Sequence, residues 1–343
     1  MNKTMDNVLG ITVILPVMLR MFDNTNVTTD SELSGEMKTY YSDYLIDNAE
    51  PKLVHDQFGQ KHPIPKNGGK NIEFRKYDPL AKITNPITEG VTPAGQKLEM
   101  GVVTATVKQY GGYIELSDML IWTAVDNNMV IATELLGAQA GRTLDTITRE
   151  VLVAGTVVQY AEGQVSSRDA LAYTDESDNM NLTVKAIRMA VRALRVQNAE
   201  TFEGGYYVGI IHPDCAYDLM SDPDWRKPHE YVDTEHLYKG EIGEVAGCRF
   251  VSTTEAKKFV NAGASSRDVY ATLILGKNAY GVTEISGGGL EFIAKQLGSG
   301  GTADPLNQRA TVGWKATKVA ERLVEQYMVR VETTSTYNDH AAN

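Results

Sequence analysis

The sequence predicts an α+β fold, and three observations predict it. Apolar residues recur at the 3–4 spacing of amphipathic helices in some stretches and alternate as in strands in others. These stretches follow one another without the regular strand–helix alternation of a doubly wound sheet. Two β-branched arms, Lys70–Tyr77 and Leu98–Ser117, flank about twenty residues with no periodicity, Asp78–Lys97. That middle piece carries Pro79, Pro86 and Pro93 with Gly90 and Gly95. A structureless loop of such length is uncommon inside a compact domain and usually serves to touch something else. We read it as a long hairpin reaching toward a neighbouring subunit.

Bulk properties narrow the classes. At 343 residues the chain exceeds the size at which one hydrophobic core keeps growing, so two lobes are expected. A net charge of −11 argues against a chain that grips nucleic acid through its phosphates, though not against a shell that encloses DNA without holding it. Cys215 and Cys248 belong to no C-x-x-C pair, which disfavours a disulfide framework or a structural zinc and fits synthesis in a reduced compartment. The apolar run Val8–Leu19 superficially resembles a signal-peptide core, but Pro16 interrupts it and no small-x-small cleavage site follows. It is also too short to span a bilayer. We expect an extended arm or upstream extension there, and no membrane partner.

In chain order, Glu36–Phe58 reads as helical. Met37, Tyr40, Tyr41, Tyr44 and Leu45 fall at 3–4 spacing, with a new start at Pro51. The cluster around Pro63, Pro65 and Gly68-Gly69 breaks it. In the hairpin arms, Ile72 and Phe74 alternate with Glu73 and Arg75, and Val103, Ala105 and Val107 with Thr104, Thr106 and Lys108. A bend is expected at Gly111-Gly112. Asn127–Leu152 is the longest helical signal, with Leu136, Ala140, Leu144, Ile147 and Val151 in one stripe. Gly137 and Gly141 within it are expected to admit a close crossing by another element. After a polar excursion, Asn181 or Thr183 caps a helix whose apolar stripe is Val184, Ile187, Val191 and Leu194. A parallel stripe of Lys185, Arg188, Arg192 and Arg195 is either a solvated face or a contact with an acidic neighbour or packaged nucleic acid. Tyr206–Ile211 reads as a buried strand, ended by Pro213, with Asp214 capping a short helix. Strands follow at Arg249–Thr253 and Tyr270–Leu275, then joints at Ser286–Gly289 and Gly298–Gly301, then strands at Gln308–Thr317 and Leu323–Glu332.

No catalytic constellation survives inspection of its spacing. His229 and His236 are seven apart, where a helical zinc motif needs four, and Pro228 adjoins the first. His212, Asp214 and Cys215 lie too close along a strand–turn to be placed as a triad. No Gly-Lys-Ser/Thr follows any glycine cluster, there is no Gly-x-Ser-x-Gly elbow, and Asp222-Pro223-Asp224 lacks calcium-loop spacing. We therefore expect no catalysis, no metal and no cofactor.

Several separate segments resemble one known family. They include Leu53–Gln60, Ile64-Pro65-Lys66, Ile72–Arg75, Thr88–Pro93, Val107–Gly111, Leu116-Ser117-Asp118, Thr133–Gly137 and Leu144–Glu150. Together, and in order from about Leu33 to Glu332, they resemble the major capsid proteins of tailed phages typified by phage N-four. That resemblance implies the Hong Kong 97-type coat fold. It places an N-terminal arm at 1–66, an extended loop at 67–112, a peripheral domain at 113–180 plus 303–343, and an axial domain at 181–302. It implies a virion protein, made in the bacterial cytoplasm, that assembles with copies of itself into hexamers and pentamers around double-stranded DNA without reading its sequence. A portal, and scaffolding or decoration proteins, would be its other partners. The subunit contacts it points to are Arg75, Pro86, Thr88, Glu89, Gly90, Val91 and Pro93 of the extended loop. The alternative is the shell of a non-viral nanocompartment of the same fold.

Overall fold

A computed structural model describes residues 25–26, 54–63, 71–77, 80, 82–87, 89–90, 92, 95–97, 100–124, 128–175, 179–225, 243–283, 290–300 and 304–343. The expected helix over 36–53, the joint over 286–289, and His229 and His236 lie outside these residues. In chain order the strands and helices are β1 (Thr25–Asn26), β2 (Gln60–His62), β3 (Asn71–Tyr77), β4 (Met100–Thr106), β5 (Lys108–Ser117), α1 (Asp118–Thr123) and α2 (Asn128–Val153). There follow β6 (Val158–Tyr160), α3 (Val184–Val196), β7 (Tyr207–Ile211), α4 (Pro213–Ser221), β8 (Glu244–Val245), β9 (Cys248–Ser252), β10 (Lys258–Phe259) and β11 (Val269–Leu275). The chain closes with β12 (Tyr280–Thr283), β13 (Leu290–Lys295), β14 (Arg309–Lys318), β15 (Ala320–Arg322) and β16 (Met328–Thr333).

The largest sheet runs β6-β16-β11-β7-β9-β8, with β10 added on β11. Its two faces bury different layers, as strand alternation requires. On one face Tyr207, Ile211, Tyr270, Ile274, Val329 and Val331 pack against α3 and α4. On the other, Ile210, Leu273, Leu275 and Met328 meet Val54, the end of α2, and Tyr280. A second sheet, β1-β5-β14-β13, carries α2, whose Leu136, Ala140 and Leu144 pack on Val312, Trp314 and Ala316. A three-stranded sheet β15-β12-β2 ties residues 60–62 into the body, and β3 pairs with β4 as a separate hairpin. The first sheet draws β6 and β16 from the segments read as peripheral and β7–β11 from the segment read as axial.

Four expectations are corrected. The helical pattern does not run to Phe58: residues 55–58 form a turn, because His55 and Asp56 are pulled into polar contacts with α2 and β14. The second hairpin arm breaks at Val107, not at Gly111-Gly112. Those glycines stay in β5 opposite Trp314 and Lys315, where a Cβ on Gly111 would stand 2.7 Å from the Trp314 carbonyl oxygen. Small residues are needed there for approach, not for bending. Gly137 and Gly141 admit no crossing element, since nothing among the described residues comes within 4 Å of a Cβ built on either. Finally, α4 is capped by His212, whose Nδ1 accepts from the Asp214 amide at 3.2 Å, with Pro213 as its first residue.

Candidate assembly surfaces

The hairpin is fixed at its root and free at its far end. Phe74 is fully buried; it meets His62 edge-on with ring centroids 4.9 Å apart and lies over Gly281, where a Cβ would come within 2.4 Å of its ring. Ile72 and Ala105 complete this small core with Val319 and Leu323. Beyond Tyr77 the support ends. Every described residue between β3 and β4 is exposed, including Leu80, Ile83, Pro86, Ile87 and Glu89. Gly90 sits at φ +78°, a turn conformation that suits glycine. Of the loop residues singled out from the sequence, Thr88, Val91 and Pro93 lie outside the described residues, as does the Arg75 side chain. Further apolar side chains are exposed on the body: Trp122 (85% exposed) and Met119 on α1, and Tyr113 with Leu135 along one surface recess. Isolated exposed apolar residues are ordinary; groups of this size mark contact surfaces.

A polar lock holds the end of the arm to the body. The His55 amide donates to Asp145 Oδ1 at 2.8 Å, and its Nδ1 lies 2.7 Å from Asp145 Oδ2. Thr148 donates its hydroxyl to Asp56 Oδ1 at 2.6 Å, and buried Lys318 pairs with the other oxygen of Asp56. The Tyr280 hydroxyl donates to the His55 carbonyl. These partners lie on α2, β14 and β12, so the lock joins three elements. Sequence spacing gave no sign of it, because its members are 90 to 262 positions apart. The charged residues offered one signal: Asp145 falls on the buried face of the α2 stripe beside Leu144.

The basic stripe is exposed as a row. Val184, Ile187, Val191 and Leu194 are buried on the sheet side of α3, leaving Lys185, Arg188, Arg192 and Arg195 outward. Lys185 pairs with Glu162 at 2.5 Å and Arg188 with Asp224 at 3.6 Å. Burial by itself would raise the Glu162 carboxyl, but hydrogen bonds from Lys185 and Thr183 outweigh it and hold it below the usual range.

His212, Asp214 and Cys215 are not arranged as a nucleophile and its base. Cys215 is fully buried; that burial, with Asp218 nearby, pushes its thiol far up, and its Sγ lies 3.8 Å from the Thr333 hydroxyl. Burial pulls His212 down, against the opposing pull of Asp214. Asp214 Oδ2, 3.3 Å from His212 Nδ1, also accepts from the Tyr270 hydroxyl at 2.7 Å. A thiol held protonated and unreachable is not a nucleophile. Among the described residues no group of three His, Cys, Asp or Glu could hold a metal, and no helix is long and apolar enough to cross a membrane.

The described architecture combines a segment locked at residues 55–56, the β3–β4 hairpin, the long helix α2 and a large mixed sheet. The capsid of Ralstonia phage GP4 superposes with a TM-score of 0.61 at 14% identity, over 96% of this chain and 99% of that one. The capsid of Cyanophage P-SCSP1u gives 0.61 at 12% identity, over 82% and 88%. Cyanophage Pam1 gives 0.57 at 14%, over 78% and 86%. No curated protein matches the sequence significantly. The fold is therefore the Hong Kong 97-type capsid fold. Residues 126–296 match the model of a phage capsid protein family.

Proposed function

We propose that the chain is the major capsid protein of a tailed bacteriophage, assembling into hexamers and pentamers of an icosahedral head. The observation that carries the reading is the β3–β4 hairpin. It is rooted by Phe74, yet leaves Leu80, Ile83 and Ile87 57%, 73% and 74% exposed. Head-to-tail contacts of a ring-forming shell bury different patches on each copy. A loop that leaves its own core supplies one patch, and the Trp122 face supplies a second. In this reading Arg75, Pro86, Thr88, Glu89, Gly90, Val91 and Pro93 meet the adjacent copy. Residues 1–66 act as the arm, 113–180 and 303–343 as the peripheral domain, and 181–302 as the axial domain.

The protein acts structurally, without catalysis, and encloses double-stranded DNA without sequence-specific contacts. A net charge of −11 suits a lining over which dense DNA must slide. A portal, and scaffolding or decoration proteins, complete the head. The nanocompartment alternative is not favoured, because the family match is to phage capsid proteins. The test is removal of Leu80–Gly95, followed by micrographs and a thermal melt. Loss of shells from a chain that melts unchanged supports the reading; a strictly monomeric full-length protein contradicts it.

A further inference from the structure

The basic stripe of α3 borders a groove, and the groove has a definite chemistry. It occupies about 620 Å³ and is lined by Arg188, Val191, Arg192, Arg195, Val196 and Ala246. Its cations are not equivalent. Lys185 and Arg188 meet carboxylates of their own chain, whereas Arg192 and Arg195 have no carboxylate partner among the described residues. Val196, one turn beyond Arg192 and also lining the groove, is 62% exposed. Guanidinium groups flanking aliphatic carbon suit an acidic amphipathic peptide better than a phosphate backbone, which offers no apolar surface to such a floor.

The chain contains a segment of that chemistry. Asp43, Asp47 and Glu50 follow one another at steps of 4 and 3, and Glu36 continues the row through Tyr40. Arg188, Arg192 and Arg195 are spaced at the same steps of 4 and 3. Tyr41, Tyr44 and Leu45 supply apolar side chains beside the acidic row. Matched rows of opposite charge flanking an apolar seam are how paired helices set their register.

With Glu50 against Arg195, as the matched steps place it, a subunit cannot dock this segment on its own α3. Its arm enters the body at Val54, which packs with Met328 and Tyr280 on the face of the main sheet opposite α3. One layer below the sheet to the outer side of a helix above it is about 25 Å. The stretch from Glu50 to Val54 spans at most about 14 Å. We propose that the groove beside Arg192 and Arg195 receives the acidic segment Glu36–Glu50 of a neighbouring copy. This rests on the coat-protein reading, whose arm it places.

The test uses the full chain carrying Asp47→Cys and Arg192→Cys, treated with a short bismaleimide. The native cysteines are buried, so background coupling is low. A ladder of linked subunits, absent from either single variant, is expected. A linkage confined within one chain, or none, overturns the docking. Charge reversal is the second arm. Arg192→Glu with Arg195→Glu should lower shell yield by about thirtyfold, as two lost surface pairs and two new like-charge pairs imply. Adding Asp47→Lys with Glu50→Lys, the partners that the matched steps give Arg192 and Arg195, should restore it. No restoration, or normal shells that only hold less DNA, refutes the proposal; the latter assigns the stripe to nucleic acid. Wild-type shells without coupling leave the coat-protein reading standing, whereas wild-type protein that never oligomerises removes both.

Discussion

Replacing Ile83 and Ile87 by serine should leave the subunit as stable as before and raise the concentration needed to form shells. The two side chains are 73% and 74% exposed, so in the isolated chain each already stands in water. Substitution at such sites changes folding stability by no more than about 0.5 kcal/mol. In the proposed shell the same side chains would lie against a neighbour. Covering the exposed three-quarters of an isoleucine is worth about 1–2 kcal/mol, and the pair about 2–4 kcal/mol. At 1.4 kcal/mol per factor of ten, the threshold should rise about 30- to 700-fold. If each subunit donates one loop and receives one, as the proposed shell requires, every hairpin contact is affected alike. Urea unfolding of the dissociated subunit gives the first quantity, and light scattering against protein concentration gives the second. A fall of more than about 1 kcal/mol in subunit stability with an unmoved threshold would show that the loop packs on its own core, and the argument from exposure would be wrong.

Other outcomes follow from the body of the subunit. Lys318→Met removes the buried partner of Asp56 and should cost about 3–5 kcal/mol of folding stability, read as a lower urea midpoint. Gly281→Ala places a methyl against the Phe74 ring and should cost about 1–3 kcal/mol, with faster proteolysis between β3 and β4 because the hairpin root loosens. Cys215 and Cys248 should resist iodoacetamide in folded protein at pH 8 and react fully in urea, since burial raises both thiols. Stability should fall in acid. At Glu150, burial raises the carboxyl but hydrogen bonds from Lys257 and Arg149 outweigh it, and at Glu325 Arg322 and Thr156 do the same. Both groups are thus held below their unfolded values. Their stabilisation is complete above the ordinary glutamate range and is lost as pH falls through the lowered folded values, which a pH series of thermal melts would reveal.

What could be read from the sequence was whatever is periodic. The stripe Leu136, Ala140, Leu144 and the stripe Val184, Ile187, Val191, Leu194 each became a buried helix face, because spacing along a helix fixes direction regardless of what it meets. The hairpin was legible for the opposite reason: β-branched arms around a proline-rich gap have few other solutions. Glycine roles were not legible. Gly111 and Gly137 look alike in the sequence, yet one faces a carbonyl across a strand pair and the other faces open space. Nor was the lock of His55, Asp56, Asp145 and Lys318. Its members read as unremarkable polar residues, and only their meeting from distant segments makes them structural. The short strands β12 and β13 also escaped notice, since four to six residues beside glycines carry little pattern.

The lock and the hairpin answer one mechanical requirement. A loop that binds a neighbour transmits load to its own root, and a root held only by the small core of Ile72, Phe74 and Ala105 would yield first. The chain supports that root from behind. Phe74 bears on Gly281 and His62; β12, which carries Gly281, pairs with β2, which carries His62. The turn leading into β2 is the one pinned by Asp145, Thr148 and Lys318. Force on the hairpin therefore passes through the Phe74 contacts into a parallel strand pair, and from there into buried hydrogen bonds on the spine helix and a buried ion pair on β14. Buried charge is a costly way to add stability but a good way to allow only one arrangement, because any shift leaves a charge unpaired in the interior. This explains why polar residues, not further leucines, occupy the joint between arm, hairpin and spine. It also predicts a separation of effects. Lys318→Met should weaken the joint and broaden the range of hairpin positions, lowering the fraction of subunits that close into regular shells even at temperatures where the subunit is folded. Shells as uniform as wild type from such a variant would show that the joint serves folding alone.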